Sequence, residues 1–171
     1  MTDRPELTPL QTELIVRSWE KSSQHGFQNV GGKIFARIFQ IQPDLKKVFD
    51  LEQAAGDDLE RSCRFQKHAG VFSKVLSVVV KGIEESSDIN EYLKDLGKRH
   101  VLFRGRGFKA EYWEVFAQAM MECVLLWEKR AGRKEKMKAW RILISHMITV
   151  MRDGFNEQLR SESFSQTFSS S

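Results

Sequence analysis

Arg64-Phe65-Gln66-Lys67-His68-Ala69 and Leu96-Gly97-Lys98-Arg99-His100 each place one histidine on an apolar stripe. Phe65, His68, Phe72 and Leu76 step by three, four and four residues, which is one face of a 3.6-residue period. Leu93, Leu96 and His100 share a helix face in the same way. If the two histidine faces look at each other across a gap, the gap holds a flat, apolar, metal-centred ligand. Neutral imidazole is a good ligand for a transition metal, and apolar walls keep such a site dry. Each histidine has a plainer reading. His100 also fits a core histidine hydrogen-bonded to backbone. His68 also fits an exposed polar residue.

The elements that must position these side chains read as helices. The three prolines stand at positions 5, 9 and 43, and none follows Pro43, which favours helix over turn-rich β structure. Thr8-Pro9-Leu10-Gln11 has the form of a capping box with Pro at the first helical position, opening a helix on Leu10, Leu14 and Trp19 to about Gln24. After Gly26, Val30, Ile34, Phe35, Ile38 and Phe39 make a second stripe. Gly31-Gly32 inside it costs roughly 1 kcal/mol per glycine relative to alanine, which a close helix crossing would justify. Pro43 to Phe49 is a short turn, and Asp50 to Asp58 a polar connector.

The His68 helix is expected from about Leu59 to Lys81, stopped by Gly82, and the His100 helix from about Ile89 to Leu102. Arg104-Gly105-Arg106-Gly107 then breaks the chain. Two further helices follow, Lys109 to Lys129 with Trp113, Phe116, Met120, Leu125 and Trp127, and Lys134 to Leu159 with Met137, Trp140, Ile144, Met147 and Met151. The reading is all-α, with one domain over residues 1–160 and a disordered Ser-rich tail over 161–171.

The 171 residues are 41% hydrophobic and 29% charged, ordinary for a soluble globular chain. No run of eighteen apolar residues occurs and the first residues carry no apolar signal core, so the chain reads as cytosolic. Cys63 and Cys123 are too few for a disulfide scaffold and are expected to be free. The absence of Cys-x-x-Cys and His-x-x-x-His removes a zinc reading. The net charge of +4 permits acidic partners without implying nucleic acid.

Trp19, Pro43, Phe49 six residues later, His68 and Leu96-x-x-x-His100, in that order and spacing, resemble the globin family. The likeness is greatest to its intracellular invertebrate (nematode-type) and neuroglobin-like branches, and covers about Leu7 to Arg160. It implies a globin fold, helices A to H packed around a pocket for haem b, iron protoporphyrin IX. His100 then resembles the proximal iron ligand, His68 the distal histidine, and Phe49 the phenylalanine that packs on the haem. Leu96, Phe35, Phe72 and Phe108 match pocket positions, and Gly31 matches the small residue opposite Ala69 where two helices cross. Two departures stand out: about three extra residues between His100 and Phe108, and a phenylalanine at position 72 where a smaller aliphatic residue is usual.

What this implies functionally is a haem protein with bis-histidyl, hexacoordinate iron in redox chemistry or in sensing O2 or NO. Phe35 and Phe72 offer no polar group, so bound O2 would depend on His68 alone, and a crowded apolar pocket suits direct ligation. The alternative is a pentacoordinate globin that binds or stores O2 reversibly. Any enzymatic activity is at most redox or NO-dioxygenase-like. The expected ligands are O2, NO and CO. Lys98, Arg99, Arg104, Arg106 and Lys109 read as a solvated basic face, or as the contact for haem propionates or an acidic redox partner. Lys129, Arg130, Arg133, Lys134, Lys136 and Lys138 read as a solvated corner, and His25 and His146 as bystanders. Lacking Cys-x-x-Cys-His, the chain would hold its haem without covalent attachment.

Overall fold

The computed structural model describes residues 4–24, 27–128 and 131–169, and among these it is helical without strands. The helices are α1 (Pro9–Ser23), α2 (Phe27–Ile41), α3 (Leu45–Val48), α4 (Asp57–Arg61), α5 (Cys63–Glu84), α6 (Asn90–His100), α7 (Tyr112–Trp127) and α8 (Arg133–Ser169). A 3-10 segment, Val101–Arg106, joins α6 to α7. Among the described residues no helix is long and apolar enough to cross a membrane.

The capping box opens α1 as the sequence requires: Gln11 N donates to Thr8 Oγ1 (3.2 Å) and Thr8 N to Gln11 Oε1 (3.0 Å). The buried face of α1 is nevertheless Gln11, Ile15, Ser18 and Trp19, whereas Leu10 of the expected stripe is 62% exposed. A polar knot explains the turn of the helix. The Ser18 hydroxyl donates to Glu128 Oε1 (2.5 Å) and accepts Trp140 Nε1–H (3.0 Å), while Lys136 Nζ donates to Glu128 Oε2 (2.6 Å). Glu128 is 2% exposed, so a burial that would be costly alone is satisfied by these partners. Lys136 is thus committed rather than solvated, and Lys129 and Arg130 lie outside the described residues, as does His25.

Other boundaries shift for local reasons. The helix expected from Leu59 is divided at Ser62, whose extended backbone (ψ 130°) separates α4 from α5. Gly82 lies inside α5 rather than ending it, and its lack of a side chain makes room for Ile89, whose Cγ2 would sit 2.3 Å from an added Cβ. Leu125, expected on the α7 stripe, is 43% exposed, and Cys123 and Val124 are buried instead. The expected disordered tail is helical to Ser169, ten residues beyond the expected end at Leu159. No Pro or Gly interrupts it, and Ser163 Oγ and Ser165 Oγ donate to the carbonyls four residues back.

The two histidine helices are each fixed from behind. On α2, a Cβ added to Gly31 would lie 1.9 Å from the Ala69 carbonyl oxygen, so the α2 and α5 backbones touch there. Gly31 N also donates to Ser73 Oγ (3.0 Å) across the crossing. Behind α6, a Cβ on Gly97 would lie 1.9 Å from Met151 O, and one on Gly154 would lie 2.1 Å from Lys94 O. His146, expected to be a bystander, adds a hydrogen bond from α8 to Asn90 Oδ1 at the start of α6 (2.7 Å). α5 and α6 make no substantial contact with each other, which leaves a space between them.

These crossings are testable by adding one methyl group. Gly31→Ala and Gly97→Ala should each lower the midpoint of urea unfolding, by at least the 1–3 kcal/mol or so typical of overpacking. Gly70→Ala is the control: nothing lies within 4 Å of its added Cβ, so it should be neutral or gain up to about 1 kcal/mol of helix propensity. Equal midpoints for all three variants would remove the close crossings.

Candidate functional site

The space between α5 and α6 is a cavity of about 410 Å³. Phe35, Phe49, His68, Phe72, Leu96, His100 and Phe108 all line it, so the seven residues singled out from the sequence share one chamber. An apolar space of this size would be left hydrated or poorly packed unless an apolar group filled it.

His100 ends α6, and its ring nitrogen Nδ1 lies 2.7 Å from the Leu96 carbonyl oxygen. A carbonyl only accepts, so Nδ1 carries the proton and Nε2 keeps a free lone pair. Phe108, Trp113 and Phe103 surround the ring with centroids at 5.2, 5.5 and 5.9 Å. Burial holds the His100 pKa below the usual histidine range, and the Leu96 hydrogen bond only partly opposes this.

His68 lies on the other wall. Phe49 meets it edge-on at 4.8 Å and Phe35 lies 5.9 Å away. Burial lowers its pKa, and the cations of Lys67, Arg106 and Arg64 push the same way. Phe35, fully buried, is the hub of this wall: Phe39, Phe49, Phe65 and Phe72 lie 4.5, 4.8, 5.1 and 5.4 Å from it. Phe72 also packs against Phe116 at 5.5 Å, and both line the chamber. Both imidazoles are therefore neutral near pH 7, the form that binds a metal.

Sequence reasoning passed over Phe103, Trp113, Met147 and Met151, which also line the cavity. The stripes of α7 and α8 carried the signal for Trp113, Met147 and Met151, but core and pocket look alike in periodicity. Phe103 gave none, because it sits in the 3-10 segment where a break was expected. That segment holds the extra residues between His100 and Phe108, and Gly107 ends it at φ +92°.

The basic cluster does not form one free patch. Lys98 pairs with Glu157 (3.1 Å), Arg99 with Asp95 (2.6 Å) and Arg106 with Asp50 (3.1 Å). Arg104 and Lys109 meet no carboxylate among the described residues. Cys63 is exposed and Cys123 buried, and both are free. Burial pushes the Cys123 thiol up to about 11, so it stays protonated.

The sequence model of the family described as Globin matches residues 32–151. Globin-related protein glb-13 of Caenorhabditis elegans is 39% identical over 152 residues, 89% of this chain and 54% of that protein. Globin-like protein 26 of the same nematode is 23% identical over 166 residues, 96% of this chain and 85% of that protein. The chain thus spans about half the length of the first of these relatives. Among solved structures, that of a hexacoordinated heme protein from an anhydrobiotic tardigrade, crystallised at pH 4, superposes with a TM-score of 0.79 at 22% identity. The match covers 91% of this chain and 99% of that one, and shows a shared fold.

The lowered histidine pKa values fix the sign of a pH dependence. Below about pH 6.5 the unfolded chain takes up protons that the folded chain refuses, so stability rises with pH through that window and is complete above it. Unfolding midpoints of the cofactor-free chain should fall between pH 7 and pH 5, and His100→Leu should remove part of the fall. A His100→Leu slope identical to wild type would mean that the buried imidazole does not contribute.

Proposed function

Since this chain belongs to the globin family and binds haem, we propose that His100 is its proximal iron ligand and His68 the sixth ligand, giving a hexacoordinate redox or gas-responsive globin. One observation carries the reading: two neutral imidazoles stand on the α5 and α6 walls of a single apolar chamber. The residues fit the group. Phe49, Leu96, Phe103 and Phe108 give a flat ring system apolar contact, and His100 offers Nε2 because Leu96 O engages Nδ1. Bound haem supplies iron that takes diatomic gases or passes single electrons.

The side chains around His68 support closed iron over open. Among the described residues no protein group hydrogen-bonds His68, so nothing holds its ring away from the chamber. Phe35, Phe49 and Phe72 provide no competing polar partner. An imidazole in that setting stabilises itself best on a metal. The hexacoordinated tardigrade protein shares the fold and supports the reading at that level. Electron exchange with an acidic partner would use Arg104 and Lys109, the cations beside the proximal segment that meet no carboxylate among the described residues.

Closure by His68 has a measurable consequence. An external ligand binds only in the fraction of molecules where His68 has left, so a closed state favoured about 100:1 weakens binding by about 2.7 kcal/mol. His68→Leu should turn the reduced protein from low-spin to high-spin under nitrogen, and CO should bind faster and more tightly. His100→Ala should lose most of its haem on a desalting column and unfold at lower urea, because bound haem stabilises the folded state by mass action. A reduced wild type that is already high-spin, with CO binding indifferent to His68→Leu, would make the protein a pentacoordinate O2-binding globin instead.

A further inference from the structure

Asp50 directly follows Phe49 and adopts φ +53°, a left-handed backbone that non-glycine residues take rarely and that clusters at functional sites. Its position is well pinned: Asp50 N donates to Lys47 O (3.2 Å), Leu51 N to Lys46 O (2.9 Å), and Lys46 Nζ to Ala54 O (2.9 Å). From this post a single carboxylate oxygen, Oδ2, takes two arginines. Arg64 reaches it at 2.6 Å and Arg106 at 3.1 Å. Arg64 lies on the first turn of α5, one turn before His68. Arg106 ends the 3-10 segment that leaves His100. The extra residues between His100 and Phe108 thus reach back to the corner that carries Phe49, whose ring abuts His68 at 4.8 Å.

We propose that Asp50 is a positioning residue for ligand access: its carboxylate clamps the start of α5 to the segment after His100 and so sets how readily His68 swings out of the chamber. The inference rests on the bis-histidyl reading above. Geometry supports it over an incidental surface pair, because the three residues come from three elements around the chamber: the corner after α3, the first turn of α5 and the 3-10 segment after His100. Without the carboxylate, Arg64 and Arg106 become adjacent like charges that repel. The clamp is also weak enough to regulate. Side-chain exposures of 60%, 47% and 52% for Arg64, Asp50 and Arg106 make these pairs salt-sensitive. Their loss should shift the closed-to-open ratio by about two- to five-fold. Apparent gas affinity would shift by the same factor, so ionic strength becomes an input to ligand binding.

Asp50→Asn is the informative variant, because asparagine tolerates left-handed backbone and the change removes charge while keeping the turn. In the haem-loaded full chain, the histidine-release phase of CO binding to reduced protein should quicken by about two- to five-fold at low salt. Arg106→Gln should quicken it less, and the double variant should do no more than Asp50→Asn alone. High salt should bring wild type up to the rate of the variant. Hydrogen exchange at residues 63–68, read without any gas, should rise in Asp50→Asn. An unchanged release rate, unchanged exchange or multiplying single effects would overturn the clamp while leaving a low-spin wild type intact. Slower release would also overturn it, by assigning the freed arginines to the haem carboxylates. A high-spin wild type, with no release phase at all, would defeat the bis-histidyl reading and the clamp with it.

Discussion

Backbone contact at three glycines is the constraint on which the chamber depends. Gly31 lets α5 settle against α2, while Gly97 and Gly154 let α6 settle against α8. Each histidine helix is therefore held by its rear face, and the two are drawn away from each other. An all-helical chain would otherwise close such a gap, since burying apolar surface is the main force available to it. Glycine is poor at forming helix, so its use at these crossings is a local cost accepted for a tertiary gain. A side chain at any of the three would displace a helix and change the width of the space.

Chemistry at the site follows from what that space excludes. Its walls are mostly phenylalanine, leucine, valine, tryptophan and methionine, with Arg99 and Tyr112 among the lining, and the two imidazoles face it from α5 and α6. Desolvation makes the charged form of each unfavourable, which leaves lone pairs ready for a metal. The two differ in their freedom. Leu96 fixes the tautomer and orientation of His100, whereas His68 packs against Phe35 and Phe49 and has no hydrogen-bond partner among the described residues. That asymmetry suits the two roles proposed for them, a permanent ligand and an exchangeable one. Around the mouth, arginines and lysines are mostly tied to carboxylates, so the basic character of the chain is spread over several surface pairs.

Elsewhere the architecture is held by a second polar centre, far from the chamber. Ser18, Glu128, Lys136 and Trp140 draw α1, the end of α7 and the start of α8 together. Buried polar groups of this kind contribute specificity of arrangement when all are partnered. Here they decide which face of α1 turns inward, against the hydrophobic pattern of Leu10 and Leu14.

By itself the sequence determined the helical class, the two histidine stripes and the family, because each is written in local periodicity and in ordered landmarks such as Pro43, Phe49 and Leu96. Gly31-Gly32 even announced a close crossing. The tertiary structure alone decided what depends on groups distant in sequence. Gly97 reads as a weak helix residue until Met151 is placed against it, and Ser18 reads as surface until Glu128 and Trp140 arrive. The tail past Leu159 reads as disordered by composition, yet it continues a helix already nucleated and anchored by its buried first turns, and extension costs far less than nucleation. Phe103 and Arg106 looked like parts of a break. They became a wall of the chamber and an ion-pair partner of Asp50 only once the 3-10 segment had folded back on His100 and Asp50. Periodicity reports which face of an element is apolar, and it carries no record of which partner that face will meet.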